Sequence, residues 1–281
     1  MKSTMKKCTC FVAAALTVAF GGIGLTPKKA SADEASERRY HDAPMISTCA
    51  SAGDYEDIYF ARKEVTYVGT PNNVPYYYSN TLSNACGAVA GGIVVGYYDK
   101  YFQELIPGYT NYYTATGKYR PQNDTYIVPM MAELYDLMQI NVVAPGVSES
   151  ECLDGLEAFV EEQGYSIDYT AVMPYGSSFD HEDYQDAVSA GEPVLLFCDS
   201  VTLCEIFIRD TNDRVSVSQV SQDHIVVGFG YQIVQYYDEN DNNFRTDTYL
   251  KVASGWNPNN MGYLKINDDN WLDSAFAVDI Y

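Results

Sequence analysis

The chain has 281 residues, 47% of them apolar and 20% charged, a balance that excludes wholesale disorder. Acidic side chains number 38 against 17 basic ones, a net charge of −21. Such a chain is repelled by a phosphate backbone or an anionic membrane surface, so neither nucleic acid nor membrane is expected as a partner.

Lys2, Lys6 and Lys7 precede an uncharged, mostly apolar run from Phe11 to Leu25, and Ala30-Ser31-Ala32 follows as an A-x-A cleavage signature. That order predicts a secretory signal peptide over residues 1–32. The run is shorter than the ~20 residues that span a bilayer, so no membrane anchor is expected after cleavage. Removing five lysines and no acid leaves a mature chain with a net charge of −26. That excess of one sign would keep an exported, extracellular protein soluble.

Five cysteines remain: Cys49, Cys86, Cys152, Cys198 and Cys204. An odd number leaves at least one thiol without an intrachain disulfide. Cys198 and Cys204 are close enough in sequence to close a small loop, although spacing alone fixes no pairing.

Residues 33–75 read as an N-terminal extension or short prosegment, polar and aperiodic over 33–48. A strand is expected over 58–68 and a turn at Pro71-Asn72-Asn73. Residues 86–104 are apolar nearly all round, which suits a central buried helix. Surface helices are expected over 129–139, 150–163 and 180–190. Ser148 and Glu151 form a capping box before the second of these, and Gly191 ends the third. From there the pattern turns to strands, over 194–198, 214–220, 224–234, 246–253, 262–266 and 275–281. Helices first and strands second predict an α+β arrangement with an antiparallel sheet, its two halves facing each other across a cleft.

Cys86 opens the buried helix, where the helix dipole and first-turn amides favour thiolate. Cys152 lies among Glu149, Glu151 and Asp154, which oppose it. A thiolate nucleophile needs a general acid/base. Of the three histidines, His41 lies in the polar opening segment and His181 beside Asp180, Glu182 and Asp183. His224 opens an apolar strand and is the candidate base. Cys86 and His224 can meet only through the fold.

The stretch Asn80-Thr81-Leu82-Ser83-Asn84-Ala85-Cys86-Gly87-Ala88-Val89-Ala90 resembles the nucleophile helix of papain-like cysteine peptidases, most closely their C39-like branch. Asp223-His224-Ile225-Val226-Val227-Gly228 resembles the histidine strand of that family. Gly191-Glu192-Pro193-Val194 resembles the lead-in to the preceding strand, and Ser254-Gly255-Trp256 with Gly262-Tyr263 resembles the segment that orients the histidine. The resemblance runs over roughly residues 76–266 and takes 76–281 as the peptidase domain.

It implies a papain-like fold in which an N-terminal helical half with the central nucleophile helix packs on a C-terminal antiparallel sheet. It also implies a secreted cysteine peptidase acting on peptides or proteins without a cofactor. Cys86 would attack the carbonyl to form a thioester, and His224 would serve as base and then acid. Asn80, where the family usually has Gln, would bind the oxyanion with the Cys86 amide. Ser254 stands where the family has Asn or Asp to orient the imidazole, with Asn257 as a fallback. Trp256 would shield the pair. These departures leave room for a catalytically silent surface binding module. A cell-wall amidase or transpeptidase would use the same Cys–His pair.

Among other motifs, 238–243 carries alternating oxygen side chains but lacks the Gly and Glu of a calcium loop, so a polar hairpin tip is expected. No zinc spacing or phosphate-binding loop is present.

Overall fold

The computed structural model describes residues 38–41, 55–70, 74–256, 261–265 and 272–281. The expected signal peptide, Cys49, the turn at 71–73 and Asn257 lie outside the described residues. The described elements are β1 (Arg39–Tyr40), β2 (Tyr55–Tyr59), β3 (Arg62–Gly69), α1 (Cys86–Tyr98), α2 (Tyr109–Thr116), α3 (Asp124–Leu137), β4 (Val147–Ser148), α4 (Glu149–Glu162), β5 (Ile167–Met173), α5 (His181–Ala190), β6 (Val194–Phe207), β7 (Asn212–Tyr237), β8 (Asn243–Ala253), β9 (Met261–Lys265) and β10 (Leu272–Ile280).

Local chemistry sets several of these boundaries. Ser148 and Glu151 close a reciprocal capping box at α4. The Asp180 carboxylate accepts from the amides of Glu182 and Asp183 at the start of α5, and Gly191 ends that helix at φ +98°. Every residue of α1 is buried. Small residues make this possible: a side chain at Gly91 or Gly92 would run into Met138 or Met130 of the neighbouring helical layer. At the far end of α1, the buried Arg120 donates to the carbonyls of Gly96 and Tyr97, a cation on the negative end of the helix.

The papain-like α+β arrangement expected above is not what the chain adopts. It is mostly β, with strands drawn from both halves into one sheet and a four-stranded closed barrel within it. The eight-stranded sheet runs β2-β7-β8-β9-β6-β10-β5, with β3 also on β7, and its pairs are antiparallel. Pairing of β6 with both β7 and β9 closes the ring β6-β7-β8-β9. Because β2, β3 and β5 come from the N-terminal part and hydrogen-bond into this sheet, the chain is not divided into a helical half and a sheet half. The strands expected over 214–220 and 224–234 are one 26-residue strand. Its polar middle continues because Ser221 and Gln222 pair with Val201 and Ser200 of β6.

Alternation along the strands buries both sheet faces. Leu195, Phe197, Ile225, Val227, Phe276 and Val278 join α1, α3 and α4 in one core, whereas Val194, Leu196, Val226, Val252, Ala275 and Ala277 join α5 in a second. His224 lies immediately before the residues at which these two cores divide. Part of the polar, aperiodic opening segment is built into the fold: Arg39 and Tyr40 form β1 and pair with Ser148 and Val147.

Candidate functional site

Cys86 is the first residue of α1 and is 2% exposed. Its N-cap, Ala85, contributes no side-chain cap, so the partial positive charge of the first turn is not offset by a capping oxygen from that position. The loop leading to the thiol is held from outside. Asn84 adopts a left-handed conformation (φ +54°), and its side-chain amide donates to Asn141 Oδ1 at 2.8 Å. Asn141 Nδ2 and the Tyr135 hydroxyl each donate to the Ser83 carbonyl at 3.1 Å. Asn141 Oδ1 also accepts from the Gly146 amide. No sequence pattern marks Asn141 for this role.

His224 is 1% exposed. Its Nε2 lies 2.8 Å from the main-chain carbonyl oxygen of Ser254. A carbonyl only accepts, so Nε2 carries a proton, and whenever the ring is neutral its lone pair is on Nδ1. The ring stacks on Trp256, centroid to centroid 4.4 Å and tilted by 24°. The Ser254 hydroxyl instead accepts from the Trp256 amide at 3.3 Å. Ser254 therefore does touch the imidazole, but through its backbone rather than the side chain anticipated for an orienting residue.

Two contacts tie this unit to the first turn of α1. Gly255, at φ +75°, packs so tightly on α1 that an added Cβ would lie 2.8 Å from Val89 Cγ1. Val89 is one helical turn beyond Cys86. On the other side of the turn, Gly87 packs against Val147 of β4. Strand β4 pairs with β1, and the His41 amide that follows β1 donates to the Asp223 carbonyl at 2.8 Å.

Asn80 is exposed on the loop before Cys86, which Ser79 shapes by accepting from the amides of Thr81 and Leu82. There it lines a cavity of about 110 Å³ whose far wall is Gln122, Val128 and Met131.

The other described cysteines are in different surroundings. Burial pushes the Cys152 thiol far up, reinforced by Glu149 and Glu151. Burial does the same to Cys198, and raises Cys204 to about 11. None of these three is in a disulfide. Cys198 and Cys204 lie six residues apart on the extended strand β6, about 20 Å by strand geometry, so the small loop they were able to close in sequence is out of reach.

His181 begins α5 and meets Phe179 edge-on. The 238–243 segment is a hairpin tip in which Asp238 accepts from the amides of Asn240 and Asn242. No cluster of metal-ligating side chains occurs among the described residues, and none of their helices is long and apolar enough to cross a membrane. The chain matches no family model and no curated protein.

Proposed function

We propose that the protein is an exported cysteine peptidase that cleaves peptide bonds through a thioester on Cys86, with His224 as general acid/base. The observation that carries this reading is the His224–Ser254–Trp256 unit, fixed in one tautomer and packed through Gly255 against the helix turn that Cys86 begins. The motif resemblance to C39-like cysteine peptidases supports it, as does the signal-like N-terminus. Burial pushes up the thiols of the three other described cysteines, which disfavours them as competing nucleophiles at neutral pH.

In this mechanism the Cys86 thiol gives its proton to His224 Nδ1, and the thiolate sulfur attacks the scissile carbonyl carbon. The Cys86 amide and the Asn80 side-chain amide hold the oxyanion. The intermediate collapses as the C–N bond breaks, and the imidazolium returns the proton to the leaving amine. Water, deprotonated by His224, then attacks the thioester and releases the acid and the Cys86 thiol. No cofactor is required. The substrate is a peptide or protein.

Cys86 and His224 are nearly fully covered, an observation that favours a second reading, a catalytically silent member used as a binding module. One experiment separates the two. Mature protein and its Cys86→Ala variant are incubated with a mixed peptide library, and the products are identified by mass spectrometry. Cleavage by the parent and none by the variant, at a nearly unchanged melting temperature, is the expected result. No cleavage by either protein favours the silent module, and cleavage that survives the substitution removes Cys86 from the chemistry.

A further inference from the structure

We propose that Arg38 is a positioning residue for His224, acting through Asp223 as the anchor of a brace that runs from the first turn of α1 to the histidine strand. The proposal rests on the reading of Cys86 and His224 as a reacting pair.

The brace is residues 38–41. Arg38 Nε donates to Asp223 Oδ1 at 2.8 Å, and Nη2 lies 2.7 Å from the same oxygen. The guanidinium also contacts Asp199 on β6 and Asp273 on β10, the latter at 3.3 Å. Three carboxylates from three strands thus converge on one cation. Without it they would repel one another, and Asp223 is the one joined directly to His224.

Asp223 sits at φ +48°, a left-handed conformation that a non-glycine residue holds only when its surroundings impose it. The surroundings here come from one four-residue segment: Arg38 grips the carboxylate and the His41 amide grips the carbonyl. The backbone that aims the imidazole is therefore set by residues 185 and fewer positions away along the chain.

The same segment is fixed at its other end. Tyr40 pairs with Val147 of β4, which packs on Gly87 next to Cys86. The Tyr40 ring is fully buried, edge-on to Phe197, and its hydroxyl donates to Asp273 at 2.9 Å. A segment rooted in the core in this way is a permanent part of the site and not a flap that lifts.

Among the described residues, the groups facing Asp223 and His224 include Arg38, His41 (Nε2 3.9 Å from Asp223 Oδ2), Asp199, Asp273 with Tyr40, and Cys198 across the strand pair. Glu149, bonded to Ser274, lies beyond them.

The test is the pH–rate profile of iodoacetamide modification at Cys86, mapped by mass spectrometry, in the full mature chain. In the parent, a thiolate–imidazolium pair gives a reactive limb well below the ordinary thiol range, and His224→Ala removes it. Arg38→Gln is expected to lower the rate at pH 6 by about tenfold or more, with little change at pH 9, where the thiol ionises without help from the imidazole. Arg38→Lys keeps the charge but not the forked geometry and should fall between the two. Asp223→Asn keeps the shape and removes the gripped charge. It should reproduce the Arg38→Gln profile, and it serves if Arg38→Gln does not fold. His41→Gln removes the other imidazole that faces Asp223 and should leave the low-pH limb in place.

A lower melting temperature with an unchanged profile in the folded protein overturns the positioning role, as does a rise in rate, which would make the segment a cover. A parent profile with no low-pH limb, insensitive to His224→Ala, instead overturns the Cys–His pair itself and the proposal with it.

Discussion

The imidazole of His224 is held by the carbonyl oxygen of Ser254, while the hydroxyl of the same serine turns back to the Trp256 amide. The position that carries Asn or Asp in the family the motifs resemble does its orienting here with a group that every amino acid has. Ser254→Ala is therefore expected to leave the alkylation profile of Cys86 within about threefold of the parent. It should cost about 1 kcal/mol of stability through the lost bond to the Trp256 amide. Denaturant midpoints and the iodoacetamide profile read the two effects separately. A collapse of the low-pH limb would show that the hydroxyl matters directly.

Gly255 lies between the two residues that touch His224. Alanine there meets a left-handed backbone and a side chain only 2.8 Å from its Cβ. Both push the 254–256 segment off α1, so Gly255→Ala should lose about 1–3 kcal/mol of stability. Cys86 reactivity at pH 6 should fall at the same time, whereas Gly176→Ala, also at positive φ but with open space around it, should lose only stability. Reactivity preserved in Gly255→Ala would mean that the contact with Val89 does not hold the pair together.

On the other side of the thiol, Asn141 is a hub. It accepts from Asn84 and Gly146 and donates to Ser83 and Tyr135. Asn141→Ala leaves the Ser83 carbonyl and the Asn84 amide short of partners, at a cost of about 1–3 kcal/mol. Hydrogen exchange should quicken across 80–86 and remain unchanged in β7 and β8. Uniform loss of protection would instead identify Asn141 as part of the global core.

How much of this was legible in the sequence depends on the range of the interaction involved. The capping box of Ser148 and Glu151, the stop at Gly191 and the all-round burial of the helix that begins at Cys86 are local, and local residue types announce them. The sheet is not local. The polar Ser221-Gln222-Asp223 stretch reads as a break between strands, yet β6 supplies partners across it. The barrel closes through Leu203 and Leu264, whose adjacency no periodicity reveals. The Ser254 carbonyl was invisible for a different reason, since sequence motifs report side chains and a main-chain acceptor has no letter. Arg38 did leave a trace. An Arg-Arg pair in a chain this poor in cations was available as a sign that carboxylates wait for it somewhere in the fold.

Asp99 gives the fold a pH dependence separate from the site. It is fully buried just past the end of α1, accepting from the Ile106 amide at 3.1 Å and from the Thr110 hydroxyl at 2.6 Å. Burial raises its carboxyl to about 6, against the pull of Thr110, the Ile106 amide and Arg120. A folded-state value above the unfolded one means that the native protein binds the proton more tightly. The stability associated with that proton is fully present below pH ~4 and is lost as pH rises through about 6, a swing of about 3 kcal/mol for a two-unit shift. Asp99→Asn removes the swing. Relative to the parent, the variant should gain stability between pH 4.5 and pH 7.5, when urea midpoints are compared at the two values. Glu149 and Glu192, also raised by burial, titrate in both proteins and cancel in that difference. An offset between variant and parent that is the same at both pH values would mean that Asp99 keeps its charge in the folded chain, with Arg120 at the helix end compensating for its burial.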